Sequence, residues 1–175
     1  MPFETKDTYL RECQEFCERR KFVAERWEWQ EKPNKSNELV AVSALMDENY
    51  QTIRGMRLFG RYHLGEDTGF EYIHLGVNLS SGFRSRVCGL DVHPDYERSH
   101  FDVVHKSIYG PHFHVGDCSK VSVHQHSVIA IANDLGIDNL PRWVEIFQEK
   151  ARVLAHNRND MAAPPLERDL LGSLL

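Results

Sequence analysis

The chain has 175 residues, 41% of them hydrophobic and 27% charged, the balance of a globular protein that can bury a core without disulfides or a structural metal. A net charge of −5 excludes bulk electrostatic capture of nucleic acid, although residues 54–63 carry Arg54, Arg57, Arg61 and His63 with no acid among them, a local basic patch able to receive a phosphate. No apolar run approaches the roughly eighteen residues of a membrane span, and the opening Met-Pro-Phe-Glu-Thr-Lys-Asp has no apolar leader, so a cytoplasmic protein with no membrane partner is expected.

Residues 5–20 read as an amphipathic helix, because Tyr9, Leu10, Cys13, Phe16 and Cys17 recur at helical spacing behind an N-cap at Thr5 or Asp7. No Cys-x-x-Cys occurs, which argues against a zinc ribbon or a thioredoxin-type site and leaves Cys13 and Cys17 as small apolar residues of the core. Phe22, Trp27 and Trp29 favour a strand over 21–30, and Lys-Pro-Asn-Lys-Ser-Asn at 32–37 is a turn by composition. Residues 38–46 are apolar on both parities, as a central strand would be. Residues 50–64 alternate, with Met56, Leu58, Tyr62 and Leu64 on one face and Arg57, Phe59, Arg61 and His63 on the other. Residues 70–79 alternate too, placing Ile73, Leu75, Val77 and Leu79 opposite Tyr72, His74 and Asn78. A further strand covers 83–93. The short turns at 65–69 and 80–82 demand antiparallel pairing.

Residues 95–126 are loop-rich, with a short strand expected at 121–123. Helices follow over 127–135, stopped by Gly136, and over 139–156, where Pro141 fits the first turn and Trp143, Val144, Phe147, Ala151 and Leu154 form the stripe. The expected fold class is α+β: an antiparallel sheet of about five strands with an N-terminal helix and two C-terminal helices, one domain over 1–160. A leucine-rich tail at 161–175, with Leu166, Leu170, Leu171, Leu174 and Leu175 beyond Pro164-Pro165, is either a frayed end or a docking segment for a protein partner or a second copy of the chain.

Nine of the ten histidines fall between His63 and His126. Three accounts of His112 and His114 compete. A His-x-His on an extended segment points both rings to one side and chelates a metal if a third ligand comes from Asp117, His93, His105, His124 or His126. Neither His-Glu-x-x-His nor a cupin-like glutamate follows, and no metal or other cofactor is assigned. Alternatively the pair works as acid and base on a phosphodiester, with Arg86, or Arg57 and Arg61, clamping the phosphate and Asp91 orienting a histidine. In the third account the rings are structural, bonded to nearby carbonyls. The two-histidine phosphoesterases need two His-x-Thr/Ser motifs, and only His105-Lys106-Ser107 fits.

The order Ser85-Arg86-Val87-Cys88-Gly89-Leu90-Asp91-Val92-His93-Pro94, then a loop, then Tyr109-Gly110-Pro111-His112-Phe113-His114-Val115-Gly116-Asp117, resembles the TumE-type family of small bacterial toxin–antitoxin proteins over about residues 38–150. On that resemblance Arg86 or Arg84, Asp91, His93, His112 and His114 are the corresponding positions. It implies an antiparallel sheet followed by a C-terminal helix, a ribonuclease-like role and a cognate antitoxin. The expectation is therefore a toxin-like or defence-related bacterial or phage protein, a metal-independent ribonuclease or phosphodiesterase acting on RNA or a nucleotide. His112, His114, His93, Asp91 and Arg86 would be catalytic, and Arg57, Arg61, His63 and His74 would bind substrate. The alternative is a non-enzymatic inhibitor or adaptor that engages a protein through its tail.

Overall fold

A computed structural model describes residues 6–65, 69–79, 86–102, 106–116 and 135–165. Helix α1 (Lys6–Glu18) leads into β1 (Lys21–Val23), β2 (Gln30–Lys32), β3 (Lys35–Ser43), β4 (Leu45–Met46), β5 (Met56–His63), β6 (Tyr72–Leu79) and β7 (Arg86–Val92). Then come β8 (Arg98–Asp102), β9 (Lys106–Tyr109), β10 (His112–Val115), helix α2 (Leu140–Ala151) and β11 (Val153–Leu154). The main sheet has six strands in the order β10-β7-β6-β5-β3-β2, every neighbouring pair antiparallel. A small sheet, β11-β1-β4, and the hairpin β8-β9 complete the described strands.

The α+β class and the antiparallel centre match the alternation in the sequence; the strand inventory is finer. The strand expected over 21–30 is two three-residue strands, because Trp27 and Trp29 leave the ladder and both donate indole N–H to the Ala162 carbonyl, at 3.1 and 2.8 Å. These rings lie so close to Gly60 that an added Cβ there would meet Trp29 at 2.5 Å. The run 38–46 breaks at Ala44, whose N–H bonds Glu25 Oε2, and its second piece joins the small sheet. It is not central: β3 has only the short β2 outside it, and Val42 is 50% exposed. The region expected to be loop holds the hairpin and β10. Helix α2 stops at Arg152, which turns left-handed (φ 48°), so Leu154 leaves the helical stripe and stands exposed on β11, parallel to β1. The helix expected at 127–135, the strand at 121–123 and the tail from 166 lie outside the described residues. No helix among the described residues is long and apolar enough to cross a membrane.

One face of the main sheet is the core. Leu58, Tyr62, Ile73, Leu75, Val77, Leu90, Val92, Phe113 and Val115 are buried there with Cys13 and Cys17 of α1 and with Trp143, Val144 and Phe147 of α2. Side chains alternate along every strand, so covering this face with helices leaves the opposite face to carry the polar set. Lys21 closes the exit of α1, its Nζ donating to the carbonyls of Phe16 and Arg19, where a cation complements the last turn.

Burial pushes the Lys21 ammonium down to about 8 from an ordinary 10.5. Between those values the unfolded chain binds the extra proton, so the lysine's contribution to stability increases with pH. Urea unfolding should therefore show the stability of the wild type rising, relative to Lys21→Met, as the pH is taken from 8 to 10. A constant difference would contradict the assignment.

Candidate functional site

The strand registers place one residue from each of four adjacent strands in a row. Arg61 pairs with His74, His74 with Asp91, and Asp91 with His112. Neighbouring rows on this face hold His63, Tyr72 and His93 on one side, and Phe59, Gly76, Gly89 and His114 on the other. The polar face read from β5 and β6 thus continues through β7 into the His-x-His strand.

Asp91 sits at the middle of this row, 3% exposed. Its Oδ1 lies 2.5 Å from His74 Nδ1, and its Oδ2 lies 2.8 Å from the Arg86 guanidinium and 2.9 Å from His114 Nε2. His112 Nε2 is 3.6 Å from the same oxygen, beyond hydrogen-bond reach. Burial by itself would push the Asp91 carboxyl up. The electrostatic pull of His74 and Arg86, helped by His112 and His114, outweighs it and holds the group well below the usual carboxylate range. Arg86 reaches Asp91 by running across Gly89, where an added Cβ would meet its Cδ at 3.2 Å. A side chain at position 89 would crowd that path.

His112 and His114 are fully buried. The Nδ1 of His112 faces the Gly110 carbonyl at 2.8 Å. Burial pushes the His114 imidazole down, against the opposing pull of Asp91. His93 falls to about 4, through burial and then the nearby His74, and lies stacked on Tyr72, ring centres 5.1 Å apart. The other face of Tyr72 carries His63, which is buried and accepts the Gly65 N–H at its Nδ1.

A cavity of about 470 Å³ opens beside this row, lined by Phe59, Arg61, His74, Asn78 and Arg86. Arg61 is held by the buried Glu38, Nε to Oε1 at 2.9 Å, and Glu38 also pairs with Lys32 at 2.9 Å. The cavity therefore has two guanidinium groups, each anchored by a buried acid.

The structure gathers Asp91, Arg86, His74, His112 and His114 into direct contact and brings His93 against His74, ring centres 5.3 Å apart. Of the four positions expected to bind substrate, Arg61 and His74 line the cavity. Arg57 is exposed near the start of β5 and His63 is packed under Tyr72. Arg84, His105, Asp117, His124 and His126 lie outside the described residues. Sequence reasoning missed His100, which the β8-β9 hairpin lays against His112 and His114 with ring centres 4.9 Å from each. It also missed Glu38, the anchor of Arg61. No family model, curated protein or solved structure matches the chain.

Replacing Asp91 with Asn keeps the shape and removes the charge that Arg86 and His74 share. Breaking a buried pair from one side costs about 3–5 kcal/mol. Asp91→Asn should lower the urea midpoint accordingly, and a loss under about 1 kcal/mol would show that the carboxylate does not organise the site.

Proposed function

We propose that the cavity binds and cleaves a phosphodiester of RNA or a nucleotide, with His74 as the general base. The observation that carries this is the chain Arg86–Asp91–His74 at the wall of a cavity that also presents Arg61. A carboxylate on Nδ1 orients an imidazole, fixes its tautomer and leaves Nε2 to accept a proton, the arrangement a base needs. The proton would come from a ribose 2′-hydroxyl or a water. Guanidinium groups match phosphate oxygens in charge and geometry, and Arg61, held at Nε, turns its terminal nitrogens to a ligand. The Asn78 amide adds a neutral donor and Phe59 an apolar wall on which a base or sugar can rest.

This assigns roles differently from the sequence. His112 and His114, buried behind Asp91, cannot touch a substrate in the cavity; they support the carboxylate. His74, expected only to bind, takes the proton. The oxygen so activated bonds to phosphorus, the P–O bond to the leaving group breaks, and the leaving oxygen takes its proton from solvent in the open cavity. The resemblance to TumE-type proteins supports a toxin-like or defence-related setting for such an activity, in which expression would slow growth.

Hydrolysis of bis(p-nitrophenyl) phosphate and of a fluorescent RNA tests this. A general base contributes typically 10²–10⁴-fold, so His74→Ala, assayed on protein that circular dichroism shows to be folded, should reduce turnover by about that factor. Arg61→Ala should mainly raise KM. Absence of cleavage by the wild type, or full activity in His74→Ala, would sink the proposal.

A further inference from the structure

The cavity meets Asp91 through His74 at Oδ1 and through Arg86 at Oδ2. On the Oδ2 side lies a second cluster that the proposed chemistry does not use. We propose that His100, His112, His114 and Asp91 form a site for one divalent first-row transition ion, of the zinc and cobalt class, which clasps the β8-β9 hairpin onto the main sheet.

Three observations carry this. One ligand-capable atom from each of the four residues lies within 4.8 Å of the others. The three imidazoles form a near-equilateral triangle, ring centres 4.9, 4.9 and 4.7 Å apart. Ring packing by itself accounts for such spacing. It does not account for the third observation, that His100 Nε2, His112 Nε2 and His114 Nδ1 are buried with no hydrogen-bond partner among the described residues; His93 Nε2 shares that condition but lies outside the four-residue group. A structural histidine normally satisfies its buried nitrogens.

The anchoring of the rings is what an ion site requires. His112 has Nδ1 at the Gly110 carbonyl and its orphaned Nε2 directed at the cluster, 3.6 Å from Asp91 Oδ2. His100 has Nδ1 at the Ser99 hydroxyl at 3.1 Å, again leaving Nε2. Ligating imidazoles are typically held in this way at the non-ligating nitrogen, which fixes both tautomer and ring orientation. His114 has its Nε2 held by Asp91 Oδ2 at 2.9 Å, which leaves Nδ1 for an ion, and His112 Nε2 stands 3.6 Å from the same oxygen, near the roughly 3.3 Å between neighbouring donors around a tetrahedral ion with bonds of about 2.0–2.1 Å.

The donor set selects the ion. Three nitrogens and one carboxylate oxygen suit zinc, cobalt, nickel or iron, whereas calcium and magnesium want oxygen. Arg86 shares Oδ2 and its charge opposes a second cation, which further disfavours a hard ion held by charge alone. His112 and His114 are sealed from solvent, which makes this a closed, structural site. His100 comes from the hairpin, while the other three come from β7 and β10, so an ion there would tie two sheets together.

The test is metal uptake by the full-length, tag-free protein after EDTA treatment and dialysis. Titration with Co2+ should give d–d absorption saturating at one ion per chain. Zn2+ should displace it and raise the melting temperature, and EDTA should reverse that rise. His100→Ala should weaken uptake by at least about 100-fold, as loss of a ligand exceeds the 10–100-fold typical of a supporting residue. His156→Ala, far from the cluster in sequence and packed on Phe22 and Tyr50, should titrate like the wild type. No saturable uptake by the wild type, or equal uptake in wild type and His100→Ala, overturns the site. The wild-type titration decides even if a variant fails to fold. Because binding and not hydrolysis is read, an inactive protein that takes up one ion would remove the phosphodiesterase and leave this site standing.

Discussion

A carboxylate sealed from water stays ionised only when cations and hydrogen-bond donors surround it, and that requirement at Asp91 sets the arrangement of this face of the sheet. Burial alone favours the neutral acid. Arg86, His74 and His114 reverse the balance, and each comes from a different place: the start of β7, the middle of β6 and the edge strand β10. Shifting one strand by one residue would send its member of the set to the apolar face. The carboxylate and the register are therefore coupled. The hydrophobic alternation fixes the register, and the register delivers the partners without which the charge could not be buried.

The two arginines of the cavity follow the same logic with less burial. Arg61 answers to Glu38 and Arg86 to Asp91, so each guanidinium is oriented by an acid that is itself out of solvent. An exposed ion pair contributes little, because water screens it and two flexible side chains must be held still. Burying the acid changes that. Its desolvation is unfavourable unless the arginine remains, so the arginine stays beside it. A cavity between two such pairs has both of its guanidinium groups held in place by the protein itself.

Much of this could be read from the residues, and the failures have physical causes. The alternation over 50–64 and 70–79 gave the two faces correctly, since a half-buried antiparallel sheet writes its burial into the sequence with period two. Arg86, Asp91, His112 and His114 were legible as a group from their order along the chain. What alternation could not supply was the pairing between strands, and with it the juxtaposition of Arg61, His74, Asp91 and His112 in one row. Nor could it reveal depth. His112 and His114 read as an acid and a base that would reach a substrate, yet both rings are buried, because β10 carries buried residues on both faces. His100 was invisible for a different reason: no glycine, proline or asparagine occurs in the sequence from Arg98 to Tyr109 to signal a hairpin. Glu38 read as the first residue of an apolar run, and only the register against His63 places it beside Arg61.

Among the described residues, the histidines from His63 to His114 therefore resolve into unlike groups on or against one sheet face. His63 and His93 sandwich Tyr72 and serve as flat packing surfaces. His74, partly exposed, is the imidazole that joins the carboxylate to the cavity. His100, His112 and His114 sit on the far side of the same carboxylate with nitrogens that nothing in the described protein satisfies. Packing accounts for the placement of the first group, in which His93 Nε2 is likewise buried without a partner among the described residues, and hydrogen bonding accounts for the second. The third group meets the same carboxylate at Oδ2, so Asp91 joins the partly exposed His74 on one side to the buried His112 and His114 on the other.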